Sequence, residues 1–221
     1  MIGFEPGGAQ AVRSILLLGA HCDDIEIGCG GTLLRMAAAY PQAGFLWVTL
    51  SGDAARAAET RAAAKRLLIG AGSLTVLCET FRGSYFPYDG ARIKDYFESL
   101  KARVQPDLIF THHGGDLHQD HRVTSELTWN TFRNHMILEY EIPKYDGDLG
   151  RPNCYVPLSA ADLATKNRIL SECFPSQRGR GWFSTETFTG LARLRGIECN
   201  APDGYAEAFH ARKLVMGLGR P

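Results

Sequence analysis

Ser14-Ile15-Leu16-Leu17-Leu18-Gly19-Ala20-His21-Cys22-Asp23-Asp24-Ile25-Glu26 is the stretch that decides the fold. Its first seven residues form an almost unbroken apolar run, the pattern of a strand buried on both faces of a parallel sheet. A polar loop, His21 to Glu26, follows at once. Gly28 to Tyr40, with Leu33, Leu34, Met36 and Ala37, then has helical character. The same order repeats downstream. Phe45 to Leu50 and Leu74 to Cys78 read as strands. Arg56 to Ile69 reads as an alanine-rich helix closed by Gly70. Ala91 to Val104 is a helix with Tyr96, Phe97, Leu100 and Val104 on one face. Leu108 to Thr111 is a fourth strand and His121 to Arg133 a fourth helix. Strands alternating with helices at this spacing predict right-handed βαβ units. The expected class is α/β, Rossmann-like, with a mostly parallel β-sheet flanked by helices in a single domain. Polar loops then gather at the carboxyl ends of the strands, where open α/β sheets bind ligands.

The last third is less regular. Ile137 to Ile142 is a candidate strand ended by Pro143, and Asp146 to Pro157 reads as a loop. Ser159 to Cys173 reads as a helix, with Ser159 and Asp162 placed as a capping box. Thr185 to Arg195 is a helix stopped by Gly196, and Phe174 to Phe183 a candidate mobile loop near the site. This division gives a core over residues 14–135 and a substrate-shaping part over 136–221.

Composition narrows the function. The 221 residues carry 24 Lys and Arg against 24 Asp and Glu, so nothing favours a nucleic-acid or membrane-surface partner. Met1 to Arg13 has no basic patch before an apolar run, which argues against an export signal. The run Ile15 to Ala20 is far too short to span a bilayer. A cytoplasmic location is the expectation. None of the six cysteines sits in a C-x-x-C pair, so free, mostly buried thiols are expected. A homo-oligomer is compatible with the sequence, which carries no feature that sets the oligomeric state.

Two clusters carry chemistry. The first is His21-Cys22-Asp23-Asp24, directly after the first strand. Zinc accepts imidazole nitrogen and carboxylate oxygen, and a catalytic zinc takes three protein ligands with one position left for water. His21 and one of the two aspartates are candidate ligands, with the other aspartate as a base. The competing reading makes Asp23 and Asp24 helix-capping residues. Gly28, Gly30 and Gly31 do not have G-x-G-x-x-G spacing, so support for a nucleotide-binding transferase is weak. The second cluster, Thr111 to Arg122, holds four of the seven histidines: His112, His113, His118 and His121. Histidines gathered beside carboxylates suit metal and acid–base sites. His118 and His121 can share a helical face, and Asp120 can fix a His118 tautomer. His112 reads as packed behind the site. His21, one aspartate and one histidine of this loop complete a three-ligand set.

Ala20-His21-Cys22-Asp23-Asp24-Ile25-Glu26 resembles the A-H-P-D-D-E-E motif of the PIG-L/LmbE family of de-N-acetylases. His118-Gln119-Asp120-His121 resembles that family's H-x-D-H motif. Ile27 to Leu33, Arg56-x-x-Glu59 and Tyr205 to Phe209 are also similar, and the likeness covers roughly residues 14 to 210. Cys22 departs from the family's proline and Ile25 from its acidic residue. The resemblance implies zinc held by His21, Asp24 and His121, with Asp23 as general base. It implies His118 as acid or electrostatic stabiliser, oriented by Asp120, and Arg56 as a substrate-binding residue. Iron(II) would also suit such a His₂Asp site. The implied reaction is hydrolysis of an N-acyl group, foremost N-acetyl, from an amino sugar or sugar conjugate, a small-molecule partner. A zinc amidase acting on a non-sugar N-acyl metabolite is the alternative. Either His118 or newly protonated Asp23 can protonate the leaving amine. Trp182 is a candidate to stack on a sugar face, Arg178 and Arg180 to meet an acidic group, and Tyr85, Phe86 and Tyr88 to line the opposite side.

Overall fold

The computed structural model describes residues 12–215. The stretch that argues against an export signal lies, apart from Val12 and Arg13, outside them. The elements alternate as expected: β1 (Ser14–His21), α1 (Asp24–Ala39), β2 (Gly44–Ser51), α2 (Ala54–Leu67), β3 (Ser73–Cys78), α3 (Gly90–Lys101), β4 (Leu108–His112), α4 (Gln119–Thr131) and β5 (Met136–Tyr140). The chain ends with β6 (Cys154–Leu158), α5 (Ala160–Cys173), α6 (Thr185–Cys199) and β7 (Tyr205–His210). One seven-stranded sheet has the order β3-β2-β1-β4-β5-β7-β6. β3, β2, β1, β4 and β5 are mutually parallel, and β7 runs antiparallel to both β5 and β6. The protein is thus a single α/β domain with a mostly parallel sheet.

The alternation of side chains along β1 divides the core into two layers. Ile15 and Leu17 pack with Phe45 and Trp47 beneath α1, α2, α5 and α6. Leu16 and Leu18 pack with Val48 and Leu50 against Ile93, Phe97 and Leu100 of α3 and Phe132 after α4. Each fully buried side chain of this kind contributes about 1.5–3 kcal/mol, so the two-sided burial of β1 anchors the strand whose end carries His21.

The chain winds outward from β1 to β3, then crosses back through α3 to β4 on the other side of β1. The strand order therefore reverses between β1 and β4, the position at which open α/β sheets form their ligand crevice.

Several boundaries differ from expectation for identifiable reasons. α1 starts at Asp24 rather than Gly28, and its two pieces meet at a kink at Cys29 (φ −143°). β6 lies inside the segment read as a loop; it is the edge strand, where Pro157 removes no needed ladder donor. α6 runs through Gly196 to a left-handed cap at Asn200 (φ +54°). Gly196 is not a stop: a Cβ there would collide with the Gly204 carbonyl. β7, Tyr-Ala-Glu-Ala-Phe-His, has little intrinsic strand preference and is placed by pairing with β5 and β6. The Ser159/Asp162 capping box of α5 is present. Among the described residues no helix is long and apolar enough to cross a membrane, and all six cysteines are free.

Candidate active site

β1 and β4 deliver the two histidine-bearing loops to one cleft of about 320 Å³. His21, Asp23, Asp24, Arg56, His118 and His121 line its floor, and Lys144, Tyr145, Arg180 and Trp182 its rim. His21 is the last residue of β1. Its backbone N–H donates to Asp24 Oδ2 at 2.6 Å, folding the loop so that the Asp24 carboxylate meets the imidazole. Asp23 takes a left-handed conformation (φ +119°), rare outside glycine, and its side chain makes no cap bond. The helix-capping reading of Asp23 therefore fails. Its carboxylate is buried and receives Arg56 Nη2 at 2.9 Å, and the same guanidinium group donates to the Cys22 carbonyl. Cys22 replaces the expected proline and is itself buried. Its Sγ occupies the space beside Gly52, where a Cβ would lie 2.5 Å away.

Three donor residues converge, Asp24 through both of its carboxylate oxygens. His21 Nδ1 lies 3.3 Å from His121 Nε2 and 3.4 Å from Asp24 Oδ2, and His121 Nε2 lies 3.5 Å from Asp24 Oδ1. Tetrahedral coordination with bonds of about 2.0–2.1 Å separates ligand atoms by roughly 3.3–3.4 Å. The spacing and the N₂O chemistry both fit a divalent cation. Each imidazole is backed by a carboxylate on its other nitrogen, the arrangement that orients histidine ligands. His21 Nε2 is 2.9 Å from Asp120 Oδ2, and His121 Nδ1 is 2.9 Å from Asp116 Oδ2.

The expected role of Asp120 changes with this geometry. Its carboxylate is held by His21 and by the backbone N–H groups of Ser84 and Phe86, at 2.5 and 3.2 Å, and makes no hydrogen bond to the His118 ring. What meets His118 is the Asp120 backbone N–H, which donates to Nδ1 at 3.2 Å as His118 caps α4. That bond leaves the other ring nitrogen of neutral His118 as an N–H donor facing the cleft. Asp116 and Lys144 join the site without a motif of their own. Lys144 Nζ sits 2.9 Å from Asp116 Oδ2 and also pairs with Asp148. A carboxylate five residues before a ligand histidine is the only trace Asp116 leaves in the sequence, and Lys144 leaves none. His112 lies behind the site, fully buried, with its ring stacked on His121 at 3.9 Å and Nε2 3.1 Å from Asp24 Oδ2.

The electrostatics divide the carboxylates. Burial, and then the neighbouring Asp24 charge, push Asp23 up to about 7 against the opposing pull of Arg56, His21 and Arg180. Burial would also raise Asp24, but His121, His112 and His21 outweigh it and hold it well below the usual carboxylate range. Burial and His112 push His121 down to about 4, so it presents a neutral lone pair. Removal from water would lower His21, yet Asp24 and Asp120 raise it to about 10. A proton on His21 thus occupies the position of positive charge between two carboxylates, the position a cation would take. Burial and then His21 lower His118, which favours its neutral form over the protonated form that the acid role would use.

The glycines after β1 are packing residues. A Cβ at Gly28 would run into the Tyr140 ring and one at Gly31 into Leu158. They leave no phosphate cradle, which removes the support for a nucleotide site. On the opposite side Phe86 is fully buried and stacks on His21 at 6.1 Å, whereas Tyr88 is exposed. Arg178 turns out of the cleft toward the Ser171 carbonyl.

Fold and site together place a His₂Asp set with metal-ligand spacing, and a separate buried carboxylate beside it, at the carboxyl ends of a mostly parallel α/β sheet. A family profile described as PIG-L, GlcNAc-PI de-N-acetylase, matches residues 16–132, more than half of the chain, and the protein belongs to this family. It is an amide hydrolase of the metal-dependent type. Solved structures share the fold. The conserved protein TT1542 from Thermus thermophilus is 20% identical, with 95% of this chain and 100% of that chain covered and a TM-score of 0.70. The N,N'-diacetylchitobiose deacetylase from Pyrococcus horikoshii is 20% identical over 92% of this chain and 85% of that one, with a TM-score of 0.69. GalB, the 4-carboxy-2-hydroxymuconate hydratase from Pseudomonas putida, is 18% identical over 95% and 100%, also with a TM-score of 0.69. The fold thus also occurs in a protein named as a hydratase, so fold likeness by itself does not fix a reaction.

Proposed function

We propose that the protein hydrolyses the N-acetyl group of an amino sugar or amino-sugar conjugate, with zinc held by His21, Asp24 and His121. The observation that carries this reading is the convergence of His21, Asp24 and His121 at metal-ligand spacing with the buried Asp23 carboxylate beside them. A base titrating near neutral pH is matched to taking a proton from water and returning it. The bound cation would supply Lewis acidity to the amide carbonyl and acidify a water beside it. In this reading Asp23 takes the proton from the attacking water. Neutral His118 donates a hydrogen bond to the carbonyl oxygen as charge develops there. Asp23 then protonates the leaving nitrogen, a role for which the neutral imidazole is less suited. Arg56 pairs with the Asp23 carboxylate and tempers its pKa, so its contribution to substrate binding passes through that carboxylate. Asp120 and Asp116 orient His21 and His121.

Zinc suits two imidazoles and one carboxylate at tetrahedral spacing; iron(II) suits the same donors. The Pyrococcus deacetylase acts on an N-acetylated chitobiose, and the rim residue Trp182 offers an aromatic face for a sugar ring. A non-sugar N-acyl amide would use the same floor and differ only at the rim. Six free cysteines suit a reducing, cytoplasmic compartment.

The test is release of acetate from a panel of N-acetylated amino sugars by zinc-loaded protein, beside N-acetylated amino acids. Turnover confined to the sugars supports the reading. Turnover confined to the amino acids gives the site to a non-sugar amidase.

A further inference from the structure

One cation at the cleft has no hydrogen-bond or ion-pair partner among the described residues. The guanidinium group of Arg180 lines the cleft, is exposed, and makes neither an ion pair nor a hydrogen bond among the described residues. The other two cations there are committed: Arg56 to Asp23 and the Cys22 carbonyl, and Lys144 to Asp116 and Asp148. Arg178, two residues earlier, turns away.

The position of Arg180 is built. Residues Pro175–Gln177 form a single 3₁₀ turn, fixed to α2 through Ser176, whose backbone N–H and Oγ donate to Glu59 at 2.9 and 2.5 Å. Gln177 is buried beneath the turn. Gly179 at φ +89°, a conformation open to glycine, reverses the chain and directs the next residue back over the cleft. The charge of Arg180 is felt at Asp23, so it stands near the reacting end. Asp146 also faces the cleft, so the attraction for an anion is local to Arg180.

We infer that Arg180 is a specificity-determining residue that selects N-acetylated amino sugars carrying an acidic group close to the acetamide. The inference rests on the deacetylation reading. In a 2-acetamido sugar, carbons 1 and 3 flank the carbon that bears nitrogen, so a phosphate on carbon 1 or a carboxylate on a carbon-3 substituent comes within the breadth of one ring. A planar guanidinium group meets either in a two-pronged contact that an ammonium cannot match. Trp182, two residues on, lines the same rim and can hold the sugar face between them.

The experiment compares kcat/KM for N-acetylglucosamine, its 1-phosphate and N-acetylmuramic acid in wild type, Arg180→Gln, Arg180→Lys and the control Arg178→Gln. Wild type should prefer at least one acidic substrate over the neutral sugar by on the order of 10- to 100-fold, the scale of a charge-assisted contact. Arg180→Gln should abolish that ratio, Arg180→Lys should retain part of it, and Arg178→Gln should keep it. Which acid is favoured separates the phosphate from the carboxylate. Equal kcat/KM for all three sugars in wild type, or an equal fall for all three in Arg180→Gln, would overturn the inference and leave deacetylation standing. Calorimetric binding of the two acidic sugars is read in parallel. Arg180-dependent binding with no acetate released would overturn only the deacetylation reading, and neither binding nor turnover would overturn both.

Discussion

Asp23 and Asp24 are neighbours in sequence and opposites in chemistry. Both are buried, and the difference is what each faces: Asp24 meets three imidazoles, whereas Asp23 contacts Arg56, feels the charges of His21 and Arg180 more weakly, and is pushed up by the Asp24 charge. Asp23→Asn should therefore keep its metal while turnover falls by on the order of 10²- to 10⁴-fold, read as acetate release beside metal content. Loss of metal together with turnover would make Asp23 a ligand. The raised pKa also sets a pH profile. A base works when ionised, so kcat/KM should fall as pH drops through the Asp23 value, with an acid limb above the ordinary carboxylate range. Arg56 lowers that value, so Arg56→Gln should move the limb to higher pH; an unmoved limb would detach the profile from Asp23. At this scale the sequence displayed the residue types and their loops. It hid the pairing. H-x-D-H suggests that the aspartate serves the first histidine, whereas α4 turns the Asp120 carboxylate toward His21, 99 residues away.

The elements explain why the site is rigid. α1 bends at Cys29, and the backbone N–H groups of Gly31 and Thr32 are received by Glu207 of β7 at 2.8 and 2.6 Å. Lys166 of α5 completes the join, bonding the Ile27 carbonyl and Glu207 Oε1 at 2.6 and 2.7 Å. This buried pair ties the last strand to the helix that follows the ligand loop. Glu207→Ala leaves an ammonium buried and unpaired, and should destabilise the fold by about 3–5 kcal/mol, measured as a lowered urea midpoint. A change within experimental error would mean that the kink holds itself. β6 and β7 show where local pattern stops informing. One contains a proline and the other two alanines, and both owe their conformation to pairing with distant strands. The long periodic elements, β1 to α4, were legible because burial on both faces of the sheet imposes continuous apolar runs.

For the whole molecule, a parallel sheet whose order reverses between β1 and β4 brings loops a hundred residues apart into one cleft, and the second half of the chain closes it with Lys144, Tyr145, Arg180 and Trp182. The fold class could be read from alternation alone, but the rim could not, because its residues come from irregular segments positioned by tertiary contacts such as Glu59 with Ser176. Since the cation competes with the proton on His21, metal affinity should weaken as pH falls, and binding near neutral pH should release protons, which calorimetry in buffers of different ionisation enthalpy reads directly. The measurement that bears most directly on the His21, Asp24 and His121 site is elemental analysis of purified wild type beside Asp24→Ala and His121→Ala, after zinc reconstitution. About one zinc per wild-type chain is expected, as a three-ligand site requires, and little in either variant. Full zinc occupancy in both variants, or none in wild type, would contradict it.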